Sequence, residues 1–109
     1  MVIDNSPSPD AIRSQLNRIL ENSNFRGSEN QKQFLRFIVS ETLADRSSQL
    51  KGYTIAIAVY GRKVDFDPLV DPIVRVEARR LRLALEHYYL TAGRNDPVRI
   101  EIPKGGYIP

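Results

Sequence analysis

Cysteine and tryptophan are absent from this 109-residue chain, and histidine and methionine occur once each. Without cysteine there is no disulfide framework, no thiolate zinc site and no cysteine nucleophile. The lack also fits a reducing compartment, and the expected location is the cytoplasm. His87 alone cannot build a His-paired metal site or a Ser-His dyad, and is expected on a helix flank. The N-terminal residues have neither a basic n-region nor an apolar h-region, so no secretory signal is expected. No apolar run approaches the ~18 residues of a membrane span, so no membrane contact is expected.

Motifs for metals and phosphates are missing too. Asp65, Asp67 and Asp71 have the spacing of a calcium loop, but Leu69 and Val70 stand where that loop needs an oxygen ligand and a glycine. Asp67 and Asp71 each precede proline, which suits turn capping. Gly105-Gly106 runs into Tyr107 and not into Lys-Ser/Thr, so it is no phosphate loop. The expectation is no catalytic residue, no metal, no cofactor and no enzyme activity in this segment.

What is present is a core and a placed charge. Hydrophobic residues make up 41% of the chain, enough for one domain without a staple. The net charge is +3, twelve of the sixteen basic residues are arginine, and four of those twelve fall between Arg75 and Arg82. Arginine forms the bidentate forks that suit phosphates and guanine edges.

Residues 1–9 read as a loose polar arm and residues 10–109 as one domain. Asp10 is placed to cap a first helix ending near Asn22, with Ile12, Leu16, Ile19 and Leu20 as its apolar stripe. Asn22-Ser23-Asn24 breaks it. Ser28 and Gln31 form a capping box for a second helix to about Ala44, which its many apolar positions make central. Gln49-Leu50 reads as a very short strand, and Thr54 to Tyr60 as a short helix stopped by Gly61. Arg62 to Val70 is a loop. Asp71-Pro72 starts a long helix to about Leu90, and Gly93 and Asn95-Asp96-Pro97 turn the chain. Val98 to Ile102 alternates as a strand, and Lys104-Gly105-Gly106 supplies hairpin chemistry before Tyr107-Ile108 returns. The expected fold class is therefore mainly α with a small β-hairpin: a winged helix-turn-helix with an additional N-terminal helix. The sequence ends inside the expected second wing strand, which predicts a longer natural protein.

On a helical wheel Val74, Ala78, Leu81, Leu85 and Tyr88 share a core-facing stripe. Arg75, Arg79 and Arg82 share a separate edge, as a helix in a DNA major groove requires. Arg80 lies off that edge, towards a phosphate or an intramolecular carboxylate. Arg99 and Lys104 place charge in the expected wing, and Lys51 and Thr54 place polar groups at the start of the short helix. The competing reading makes these arginines a solvated face paired with Glu77 and Glu86. Tyr88-Tyr89 reads as core in preference to a base-stacking platform.

The segment Tyr53 to Pro109 resembles the DNA-binding domain of OmpR/PhoB-type transcription regulators. The likeness is carried by Val59-Tyr60-Gly61-Arg62, by Val74 to Leu85, and by Gly106-Tyr107. It implies a recognition helix from Pro72 to about Leu90, with DNA-facing positions at Arg75, Arg79, Arg80 and Arg82 and wing contacts near Lys104. The whole chain resembles N-terminal domains of multidomain bacterial adenylate cyclases and tetratricopeptide-containing regulators. Gln49 to Ala56, Asp65-Phe66-Asp67-Pro68, Asp71 to Ala78 and Pro103 to Tyr107 carry that likeness. A full-length parent of that kind could hold a cyclase domain, whose metal-binding carboxylates are not recognisable here. Unlike the response regulators, this chain has two helices where they have a strand-rich platform.

Two functions follow as expectations. The first is a duplex-DNA-binding transcriptional regulatory domain contacting DNA through Arg75, Arg79, Arg80, Arg82, Arg99, Lys104, Lys51 and Thr54. The second is a protein-interaction or dimerisation module of a larger signalling protein, such as a bacterial adenylate cyclase, with DNA binding lost. A homodimer through the N-terminal helix is the interface expected there.

Overall fold

A computed structural model describes residues 7–23, 25–63, 65, 67 and 71–109. Most of the expected N-terminal arm, Asn24 and much of the 62–70 loop, including Phe66 and Pro68, lie outside the described residues. Four α-helices form: α1 (Pro9–Glu21), α2 (Glu29–Leu43), α3 (Gly52–Tyr60) and α4 (Ile73–Leu90), with a 3-10 turn at Ser47–Gln49.

The helix ends follow local chemistry. The Ser8 hydroxyl, and not Asp10, caps α1 by accepting from the Ala11 amide at 3.1 Å; Pro9 then occupies the first turn. Ser28 and Gln31 form the reciprocal capping box of α2. Gly61 ends α3 at φ 64°, a left-handed conformation that a side chain would disfavour. α4 starts at Ile73 with Pro72 as its N-cap, one residue later than expected; the Asp71 carboxylate just ahead of it accepts from the Ile73 amide at 3.1 Å.

α2 lies at the centre and packs against the other three α-helices. Phe34, Leu35 and Ile38 are wholly buried, and Ile19, Ile55 and Leu81 meet them from α1, α3 and α4. Each such side chain contributes about 1.5–3 kcal/mol by leaving water. The apolar stripe of α1 is consumed in this core, because Leu16, Ile19 and Leu20 are buried and Ile12 partly so. The expected homodimer surface on the N-terminal helix is therefore already occupied by the protein's own interior.

The expected winged helix does not form: the described residues contain no strand, neither the hairpin at 98–108 nor the short strand at Gln49-Leu50, where Gln49 ends a 3-10 turn and Leu50 follows it. Val98, Ile100 and Ile102 do point inward while Arg99 and Glu101 are exposed. The alternation thus specified burial and not pairing. Among the described residues the tail meets no second strand; Tyr107 turns its ring towards Phe34 at 6.3 Å, and Pro103, inside the expected hairpin, lacks an amide donor. Side chains of α4 serve its backbone instead. The Tyr89 hydroxyl donates to the Val98 carbonyl at 2.9 Å and accepts from the Ile100 amide at 2.8 Å.

Gly93 lets the chain leave α4 beneath Tyr88; a Cβ there would collide with the ring. The turn that follows is latched by Asp96. Its carboxylate accepts from Gln15 at 2.8 Å, from Arg18 at 3.3 Å and from the Tyr88 hydroxyl, joining α1 to the end of α4. The Tyr88 hydrogen bond is the main reason its carboxyl sits below the usual range. Burial and Asp96 push the Tyr88 phenol up to about 12.

Candidate nucleic-acid interface

The outer side of α4 carries exposed charge. Its inner side buries Val74, Glu77, Ala78, Leu81, Ala84, Leu85, Tyr88 and Tyr89, which at about 100° per residue spans some 140° of the wheel. The remaining arc carries Arg75 and Arg79, both exposed and one turn apart. Arg79 has no hydrogen bond or ion pair among the described residues.

The sequence placed eight residues in this interface, and the structure divides them. Arg82 is half-buried and turns to the C-terminal tail. Its guanidinium donates to the carbonyls of Ile102 at 3.1 Å, Pro103 at 2.9 Å and Gly106 at 3.0 Å. Those bonds fix the Lys104-Gly105 turn beside α4, so Arg82 positions the turn. Arg80 donates to Glu77 at 3.0 Å. Glu77 is itself buried and takes a second bond from Gln31 at 2.9 Å, so the Arg80 charge largely offsets a carboxylate the core has enclosed. Arg99 pairs with Glu101 and lies 5.2 Å above the Tyr89 ring. The Thr54 hydroxyl is spent on its own helix start: it donates to the carbonyls of Gln49 and Lys51, the latter at 2.9 Å, and accepts from the Lys51 amide at 3.2 Å.

Lys51, Arg75, Arg79 and Lys104 are exposed, and Arg75 has an interaction of its own within the protein. Lys51 and Arg75 line one cleft of about 310 Å³ with Tyr53, Asp71 and Tyr107, which brings the starts of α3 and α4 together. Asp71 is partly neutralised there by Arg62 at 2.8 Å. Lys104 borders a second cleft of about 570 Å³ between α4 and the tail, together with Arg82 and Glu86. The arrangement is two packed helices, α3 and α4, with cations at the first two turns of α4 and a lysine-bearing turn at its side. Such a surface can neutralise phosphates on either flank of a helix lying in a groove.

Tyr88 and Tyr89 are buried, their rings edge-to-face at 5.1 Å, and no base can stack on them. Three features escaped the sequence reading. The clamp made by Arg82 had no signal in the sequence, because its acceptors are main-chain carbonyls of Ile102, Pro103 and Gly106. The second is the Gln31 contact to Glu77; the Arg80–Glu77 pair that it extends was itself one of the sequence expectations. The third is a row of exposed apolar residues on α4, Val76, Leu83 and Leu90, visible in the sequence as a seven-residue repeat. No helix among the described residues is long and apolar enough to cross a membrane, and they hold no group of three or more His, Asp or Glu side chains able to bind a metal ion. Compared with known proteins, the chain matches no family model, no curated protein and no solved structure.

Proposed function

We propose that the chain is a duplex-DNA-binding domain of a bacterial transcription regulator, working in the cytoplasm. It docks the N-terminal half of α4 in the major groove, with Lys51 and Lys104 on flanking phosphates. The observation that carries this reading is the outward pair Arg75 and Arg79, one turn apart on a helix whose opposite side is core. The likeness of Val74 to Leu85 to response-regulator recognition helices supports it. Arg75 and Arg79 reach base edges or the groove wall; Arg82 acts indirectly, by holding the turn that carries Lys104.

Fluorescence anisotropy of labelled random duplex DNA tests the reading. With about three phosphates neutralised, affinity falls roughly 40-fold between about 50 and 200 mM salt. Alanine at Arg79 costs about 1–3 kcal/mol on a selected cognate duplex if the contact is bidentate to a base. An Arg75→Ala/Arg79→Ala protein that binds DNA as tightly as the parent at both salt concentrations overturns the proposal.

A further inference from the structure

Val76, Leu83 and Leu90 are 40%, 57% and 75% exposed and stand seven residues apart on α4, so they form one apolar line along its outer face. At about 100° per residue that line drifts by only about 40° over the helix. Two flanks border it, each about 40–60° away: Arg79 and Glu86 on one side, Arg80 and His87 on the other. Arg79 and Glu86 are both exposed, and neither has a hydrogen bond or ion pair among the described residues.

We infer that this face is covered by α4 of a second copy of the chain, packed antiparallel about a two-fold axis at Leu83. An antiparallel two-fold sets each flank against the same flank of the other copy. Leu83 then meets Leu83, and Val76 meets Leu90 of the second copy at both ends. Arg79 stands four residues before the axis and Glu86 three residues after it, roughly 6 and 4.5 Å along the helix at 1.5 Å per residue. Each Arg79 therefore faces a Glu86 of the second copy, and two ion pairs bracket the leucines. A parallel pair would set Arg79 against Arg80 and place like charges together. Seven-residue spacing is also the repeat that keeps an apolar seam facing a partner helix. The contact is one helix wide, below the area of a permanent dimer, so the association is reversible.

The inference stands apart from DNA binding, though the two meet at Arg79: a paired α4 cannot enter a groove, and DNA competes with self-association. Sedimentation equilibrium of the full chain over roughly 10 µM to 1 mM should show a monomer–dimer equilibrium. Leu83→Asn, at an exposed position, should weaken it by about tenfold or more with the helical circular dichroism unchanged. Arg79→Glu and Glu86→Arg should each weaken it, and the double reversal should restore it. A chain that stays monomeric throughout overturns the inference. So does a dimer indifferent to Leu83→Asn, and so does a double reversal no stronger than the single ones. Anisotropy of labelled duplex DNA with Leu83→Asn, which retains Arg75 and Arg79, reads the DNA proposal separately.

Discussion

The helical part of the chain, residues 9–90, and the tail, residues 98–109, satisfy their buried backbone groups by different means. In α1 to α4 amides and carbonyls pair within each helix, and side chains are left to build a core or a surface. In the tail Val98, Ile100 and Ile102 are as well buried as many helical core residues, yet two side chains of α4 supply the main-chain partners. Buried main-chain groups must be paired, and where no neighbouring strand is offered, side chains do it. That difference decides which arginines face solvent. Arg79 is outward because its own helix needs nothing from it, whereas Arg82 is held inward by the tail.

The largest effect that breaks the comparison is expected in the helical core. Leu81→Ala removes a wholly buried side chain where α4 meets α2 and should cost about 2–5 kcal/mol, with helices and tail melting together in thermal denaturation. Tyr89→Phe should separate the two regions. It removes the donor to Val98 and the acceptor for Ile100 while keeping the ring, at about 1–3 kcal/mol for the groups left unpaired. Amide exchange should then quicken at Ile100 well before it does in α2; equal acceleration in both would mean that the tail is no separate unit. Arg82→Lys should cost less, roughly 1–2 kcal/mol, because a single ammonium cannot reproduce the guanidinium's fork over three carbonyls. The loss should appear as mobility at Lys104-Gly105 in NMR relaxation.

The same contrast explains what the sequence could reveal. The helix ends at Ser28 with Gln31 and at Gly61 were legible because capping is local, whereas the cap of α1 fell on Ser8 and not on Asp10, and α4 began one residue late. The inward set of α4 was legible because one period governs it. The tail misled because alternation reports only which side chains are buried, and pairing depends on whether another strand arrives. None does among the described residues, and Tyr107 packs towards Phe34. For the interface, the wheel angle of Arg82 was right and its partner was not. The three carbonyls that hold it lie twenty or more residues away, and nothing in a helical repeat points to them. Arg80 and Thr54 differ, since their partners Glu77 and Gln49 to Lys51 lie within five residues and local spacing allowed both outcomes.

Acid tests the joint between the regions. The Asp96 carboxyl is held below its ordinary value, chiefly by the Tyr88 hydroxyl and then by Gln15 and Arg18. A carboxylate whose folded pKa is depressed adds stability that is complete above the unfolded value, about 3.9, and disappears as pH falls through the folded one. Stability should therefore decline below about pH 4, and Asp96→Asn should flatten that decline while lowering stability at neutral pH. A variant with an unchanged acid limb would assign acid sensitivity elsewhere, for instance to Glu41, whose carboxyl Arg46 also holds low.

The smallest expected effect concerns a flaw in the better-built region. Among the described residues the Tyr60 hydroxyl is buried with no hydrogen-bond partner, even though it borders a cleft of about 560 Å³ that also holds Gln31, Glu77 and Arg80. Burial, reinforced by the Glu77 carboxylate, raises its pKa, so the group stays a protonated donor that nothing accepts. An unmade hydrogen bond costs its full desolvation, whereas removing the group costs little when the ring keeps its packing. The Tyr60 ring rests edge-on to Phe34 at 6.1 Å, and phenylalanine keeps that contact. Tyr60→Phe should therefore range from no change to a gain of about 1 kcal/mol in denaturant unfolding, the reverse of Tyr89→Phe. A clear loss would show that the hydroxyl has an acceptor, such as a water in the cleft beside Glu77. The helical region would then also depend on side-chain hydrogen bonding of the kind that holds the tail.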